Sequence, residues 1–146
     1  MKSFTRQPLT GTFYNATSGD TLRLDSTRTE FTVLEFWSTS CGPCIKEIPA
    51  LNEFAEKYWG RVTFLSINSD LQYGRTVREL QTFIREHGIT YPVLLDSESE
   101  QLMKRYQVGG WPARFLLDRS GYLYRDPFER RMKLSLNEIR RFLERE

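Results

Sequence analysis

Cys41 and Cys44, separated by Gly42 and Pro43, are the only cysteines among 146 residues. A thiolate is the side chain best suited to forming and breaking a covalent bond reversibly. As a structural staple this pair would be weak: closing a four-residue loop is worth about 2 kcal/mol in the chain-entropy model, against about 4.7 for a hundred-residue loop. Two cysteines and one histidine, His87, cannot build a disulfide framework or a zinc site of four cysteines. The spacing therefore suits a pair that makes and breaks its own bond. A pair of buried small apolar residues, or half a zinc site, is the competing reading. A second chemical candidate is Glu35, six residues before Cys41 and set among Val33, Leu34, Phe36 and Trp37. A carboxylate there would be desolvated, which raises its pKa and makes it an acid or base near neutrality. The bland alternative is a strand-end glutamate facing water.

The elements that must position these groups are legible from periodicity. Phe31–Trp37 is rich in β-formers and mostly apolar, as for a strand buried on both faces. Ile45, Ile48, Leu51, Phe54, Ala55 and Tyr58 follow at three- and four-residue steps, a helical stripe closed by Gly60. Cys41 then falls at a helix N-terminus, where free N–H groups and the dipole favour a thiolate, and Cys44 lies one turn inside. Pro43 fits the first turn, where a missing N–H costs nothing. Arg61–Asn68 reads as a second central strand, Thr76–His87 as a helix, Tyr91–Asp96 as a short strand and Ser99–Tyr106 as a short helix. Two hairpins are expected. One joins Gly11–Tyr14 to Thr21–Leu24 across Ser18-Gly19-Asp20, and the other joins Ala113–Leu117 to Gly121–Arg125 across Asp118-Arg119-Ser120. Ser135 with Glu138 is a capping-box start for a last helix. Alternating strands and helices with a late hairpin predict an α/β sandwich: a mixed central sheet with helices on both faces, in one domain over 1–146.

Composition narrows the function classes. Lys plus Arg number 21 and Asp plus Glu 19, a net +2 that points to neither nucleic acid nor an anionic membrane as the main partner. No apolar run approaches the roughly 20 residues of a membrane span, and residues 1–9 do not resemble a signal core. His87 reads as a helix-end or partly buried histidine and not a metal ligand. Arg130, Arg131, Lys133, Arg140 and Arg141 interleave with acids and read as a solvated face.

Phe36-Trp37-Ser38-Thr39-Ser40-Cys41-Gly42-Pro43-Cys44 with Pro49 resembles the active-site segment of thioredoxin-fold proteins, and Gly109-Gly110-Trp111-Pro112-Ala113-Arg114-Phe115-Leu116-Leu117-Asp118 their cis-proline segment. The N-terminal hairpin and the strand-and-helix region around Ser69–Tyr91 are most similar to the TlpA-like (ResA-like) thiol-disulfide oxidoreductases. The resemblance implies a thioredoxin-like three-layer sandwich and a redox-active disulfide in which Cys41 attacks and Cys44 resolves. It also implies a cis bond before Pro112, Glu35 as the proton-transfer acid, and substrate contacts at Trp111, Pro112 and Trp37. Neither cofactor nor metal is implied. The partners implied are a protein disulfide substrate and a thiol-donating redox protein, with the chain a monomer. The family is exported or tethered outside the cytoplasm, which implies a periplasmic setting with the leader absent from this sequence; a cytoplasmic setting is the alternative.

The sequence departs from the thioredoxin pattern in several places. Ser40 replaces the usual Trp before the first cysteine, and Trp111 replaces the usual Thr, Val or Ile before the proline. No lysine in Val62–Asn68 is available to pair with Glu35, and Asp70 reads as a turn residue, with a second site acid as the alternative. The Gly-Pro dipeptide between the cysteines is thioredoxin's own, and thioredoxin is a reductant at about −270 mV. The expected function is reduction of protein disulfides. The alternatives are a peroxiredoxin-like peroxidase, in which Thr39 and an arginine would polarise peroxide at Cys41, and a redox-inert binding module.

Overall fold

A seven-residue strand, β3 (Phe31–Trp37), is buried along its whole length and forms the axis of the molecule. The computed structural model describes residues 7–26, 29–97, 100–124 and 134–145. Among them β1 (Thr12–Asn15), β2 (Asp20–Arg23), β4 (Val62–Asn68), β5 (Val93–Leu95) and β6 (Ala113–Leu117) join β3 in one mixed sheet of order β2-β1-β5-β4-β3-β6. β3, β4 and β5 run parallel, β6 runs antiparallel beside β3, and β1 pairs antiparallel with β2 and β5.

Helices α1 (Gly42–Lys46) and α2 (Ile48–Lys57) connect β3 to β4, and α3 (Val77–Glu86) connects β4 to β5. Both crossovers step the same way along the sheet, so right-handed connections put all three helices on one face. α5 (Leu136–Arg145) joins them, and its residues share a core with Phe31, Val33, Trp37, Cys44 and Leu116. The short α4 (Leu102–Arg105) covers the other face, over Leu34, Phe36, Leu65, Ile67 and Phe115. Strand alternation thus puts Val33, Glu35 and Trp37 on the face of α1 and α2, and Leu34 and Phe36 on the other.

Two expectations need correction. The single helix expected after Cys41 is two, divided at Glu47, because Pro49 has no N–H and its ring would crowd the carbonyl of Ile45. The second arm of the late hairpin shrinks to a Leu117–Leu123 bridge with Tyr124 N donating to Leu116 O, and Arg125 lies outside the described residues. Leu134 N then donates to Arg114 O, so a different segment takes up the outer edge of β6. The helix expected over Ser99–Tyr106 narrows to α4, with Ser99 outside the described residues, and the other elements form close to where periodicity puts them. Thr76 and Glu79 close a capping box on α3, and Ser135 and Glu138 exchange the same two bonds at the start of α5. Arg130, Arg131 and Lys133 lie outside the described residues.

Candidate active site around Cys41 and Cys44

β3 ends at Trp37 and the chain turns through Ser38–Ser40 into α1. Cys41 is the N-cap of that helix: its sulfur accepts from the backbone N–H of Cys44 at 3.2 Å, and Pro43 occupies the first turn. The two cysteines form a disulfide with Cα atoms 5.2 Å apart. Cys41 is partly exposed and Cys44 buried, so a partner sulfur can approach only the first of them. An attacking and a resolving thiol need that asymmetry.

The turn itself is tied down by Asp70. This carboxylate is buried at the start of a short 3-10 helix, Asp70–Tyr73. It accepts from Ser38 Oγ at 3.1 Å, from the Thr39 backbone at 3.4 Å and from the Thr39 hydroxyl. Asp70 is thus a turn residue, as expected, but a buried one whose side chain organises the approach to Cys41.

Glu35 is buried, not solvent-facing. Its cation comes from β6: Arg114 Nε donates to Glu35 Oε1 at 2.5 Å, and Arg114 Nη2 donates to Glu47 Oε1. Burial pushes the Glu35 carboxyl up to about 7, and Arg114 pulls against that rise. Both Arg114 and Glu47 escaped the sequence reading. A signal existed, since Glu35 and Arg114 are single charges of opposite sign inside apolar strands, and buried charges need partners.

The Trp111–Pro112 bond is cis. Trp111 is half-buried and packs against both core clusters, and Tyr73, 67% exposed, meets its ring edge-to-face at 5.9 Å. The indole Nε1 is buried and has no hydrogen-bond partner among the described residues. Gly109 and Gly110 are exposed and border open space: a Cβ on either would meet nothing within 4 Å. Trp37, expected to touch substrate, is instead a core residue. Its side chain falls on the inner face of β3, Nε1 donates to Ser66 Oγ at 3.1 Å, and the ring packs on Phe83. His87 caps α3, exposed, with its ring stacked on Phe83 at 3.8 Å.

The disulfide thus sits at a helix N-terminus after the central strand, and the cis proline stands just before β6, the neighbour of that strand. The profile of the AhpC/TSA family matches residues 2–125. The chain belongs to the AhpC/TSA family. Thiol-disulfide oxidoreductase ResA of Geobacillus kaustophilus (strain HTA426) is 33% identical over 100 residues, which cover 68% of this chain and 55% of that protein. The crystal structure of StoA from Bacillus subtilis superposes with a TM-score of 0.73 at 23% identity, covering 94% of this chain and 98% of that one. A secreted Mycobacterium tuberculosis disulfide oxidoreductase homologous to Escherichia coli DsbE gives 0.68 at 23% identity, covering 94% and 96%. The fold is thioredoxin-like, and within the AhpC/TSA family the chain is ResA-like, as its motifs imply. It spans little more than half the length of the ResA relatives it matches. No helix among the described residues is long and apolar enough to cross a membrane.

Proposed function

We propose that this chain is a thiol-disulfide oxidoreductase that reduces protein disulfides. The observation carrying the proposal is the exposure difference within one disulfide: a reachable Cys41 at the helix N-cap and a buried Cys44 one turn on. In the reduced protein the Cys41 thiolate attacks a partner disulfide and forms a mixed disulfide. Cys44 then attacks the Cys41 sulfur and releases the reduced partner. Glu35, on the same sheet face as Cys44, exchanges the proton of the Cys44 thiol. The relatives named thiol-disulfide oxidoreductases support this reading. The peroxidase alternative is disfavoured, since the Thr39 hydroxyl is committed to Asp70 and Arg114 to Glu35 and Glu47. The paired cysteines likewise speak against a redox-inert module.

The partner is an extended segment carrying a disulfide, taken against the Trp111–Pro112 edge, where exposed backbone can pair as a sheet edge would. A working monomer outside the cytoplasm, recharged by a thiol-donating redox protein, fits a reducing pair in an oxidising compartment. The secreted character of one structural neighbour supports that setting. The test is mass spectrometry of proteins trapped by Cys44→Ser from cell extract, together with fractionation of the native product. Covalent partners released by reductant support the proposal; no adduct on Cys41 rejects it, and recovery of the native product from cytoplasm rejects the location.

A further inference from the structure

Glu35 and Arg114 are directly opposite in the β3–β6 register, and both side chains are almost fully covered, 2% and 5% exposed. Glu47, 35% exposed, takes the other end of the guanidinium. It stands at the break between α1 and α2, and its backbone N–H donates to the carbonyl of Cys44 at 3.2 Å. A continuous chain of bonds therefore runs from the turn that carries the resolving cysteine, through Glu47 and Arg114, to the carboxylate on the central strand. We infer that Arg114 is a positioning residue for proton exchange at Glu35, with Glu47 as its anchor and its link to solvent. This rests on the reading of Glu35 as the acid–base group.

In the step concerned, the Cys44 thiol gives its proton to the Glu35 carboxylate and the Cys44 sulfur bonds to the Cys41 sulfur. The bond from Cys41 to the partner sulfur breaks, and the partner leaves as a thiolate that takes a proton from water. The partner disulfide has gained two electrons and the cysteine pair has lost them. A free buried carboxylate would swing among rotamers and be held protonated by desolvation. Arg114 fixes one oxygen and supplies countercharge, while Glu47 draws part of that charge away. Among the described residues, few other groups surround Glu35. Tyr91, on the β5 side, has its phenol held above the usual range by burial and by the charge of Glu35. β4 sets only Ser66 across from Glu35, and the cysteine pair lies beyond the strand end. Burial is the largest influence on Glu35, Arg114 opposes it, and Glu47 reinforces it.

The two supporting residues must therefore act with opposite sign, which a merely structural ion pair would not do. The reduced protein is mixed with a chromogenic dipyridyl disulfide. The first equivalent of released thiol reports attack by Cys41, and the second reports resolution by Cys44. The midpoint of the second phase against pH is expected to rise by about one unit or more in Arg114→Met, since a neighbouring cation depresses a carboxyl by roughly 1–3 units. It is expected to fall in Glu47→Gln and to stay near the native value in Arg114→Lys. If Arg114→Met does not fold, the half-exposed Glu47→Gln decides alone. Glu35→Gln is the control. A profile unchanged by Glu35→Gln removes Glu35 from the mechanism and this inference with it. A profile flattened by Glu35→Gln, yet unmoved by Glu47→Gln and Arg114→Met, overturns the inference and leaves the Glu35 assignment standing.

Discussion

Glu35 and Arg114, 79 residues apart in sequence, share a buried ion pair across the β3–β6 register. On one side of β3, β4 offers Glu35 only Ser66 at that level, so the cation arrives from β6 on the other side. Removing one member of a buried pair strands the other in a poor medium, which ties the identities of the two positions together.

The division of labour between the cysteines is the first thing to test. Cys41→Ser is expected to abolish both disulfide reduction and partner trapping. Cys44→Ser should accumulate mixed disulfides, because only resolution is lost. Alkylation of the reduced protein near neutral pH should modify Cys41 well before the buried Cys44; the reverse order would exchange their roles.

Glu35 should also leave a signature in stability. Its carboxyl ionises near 4.5 when unfolded and at about 7 in the fold, with burial the main cause and Arg114 opposing it. Between those values the folded state holds more protons, so stability from this group falls as pH rises from about 4.5 to about 7 and is constant above. At 1.36 kcal/mol per unit the loss amounts to roughly 3 kcal/mol. Denaturant midpoints of the native protein and Glu35→Gln across pH 4–8 should diverge within that window. Parallel curves would contradict the burial account.

Trp111 is expected to select partners. Its ring is half-covered by core and braced by Tyr73, with the open Gly109–Gly110 stretch just before it. Interface aromatics of this kind commonly anchor bound segments. Trp111→Ala should slow turnover of a protein disulfide about tenfold, roughly 1.4 kcal/mol, and barely change reduction of a small disulfide. Equal losses on both substrates, with a melting temperature lowered by more than about 5 °C, would make Trp111 a packing residue.

Asp70 should matter through the turn it holds. Asp70→Ala leaves Ser38 and Thr39 donors without their acceptor in a buried setting. An abandoned buried group costs about 1–3 kcal/mol each, so the melting temperature should fall by roughly 5–10 °C. Asp70→Asn keeps the acceptor oxygen and should recover part of the loss. A melting point unchanged by Asp70→Ala would show the turn to be held by its backbone alone.

What the amino-acid sequence determined by itself is local. Apolar periodicity marks β3 and β4, Ser135 with Glu138 marks the start of α5, and the position of Cys41-Gly42-Pro43-Cys44 just after a strand puts the first thiol on a helix N-cap. These features depend on contacts within a few residues, so a linear pattern contains them. Pro49 was equally visible, and the break it makes at Glu47 is local physics that the apolar stripe concealed. The tertiary structure alone decided the rest. Trp37 and Trp111 are both tryptophans beside the site, yet one is buried against Ser66 and Phe83 and the other flanks the surface. The sheet face and the neighbouring loops set that difference, not residue type. Asp70 became a tether because the end of β4 lies beside the end of β3, 31 residues earlier in the chain. Glu35 found Arg114, and Arg114 found Glu47, only once β6 paired antiparallel with β3 in one register. A shift of a single residue would have turned the guanidinium to the opposite face of the sheet.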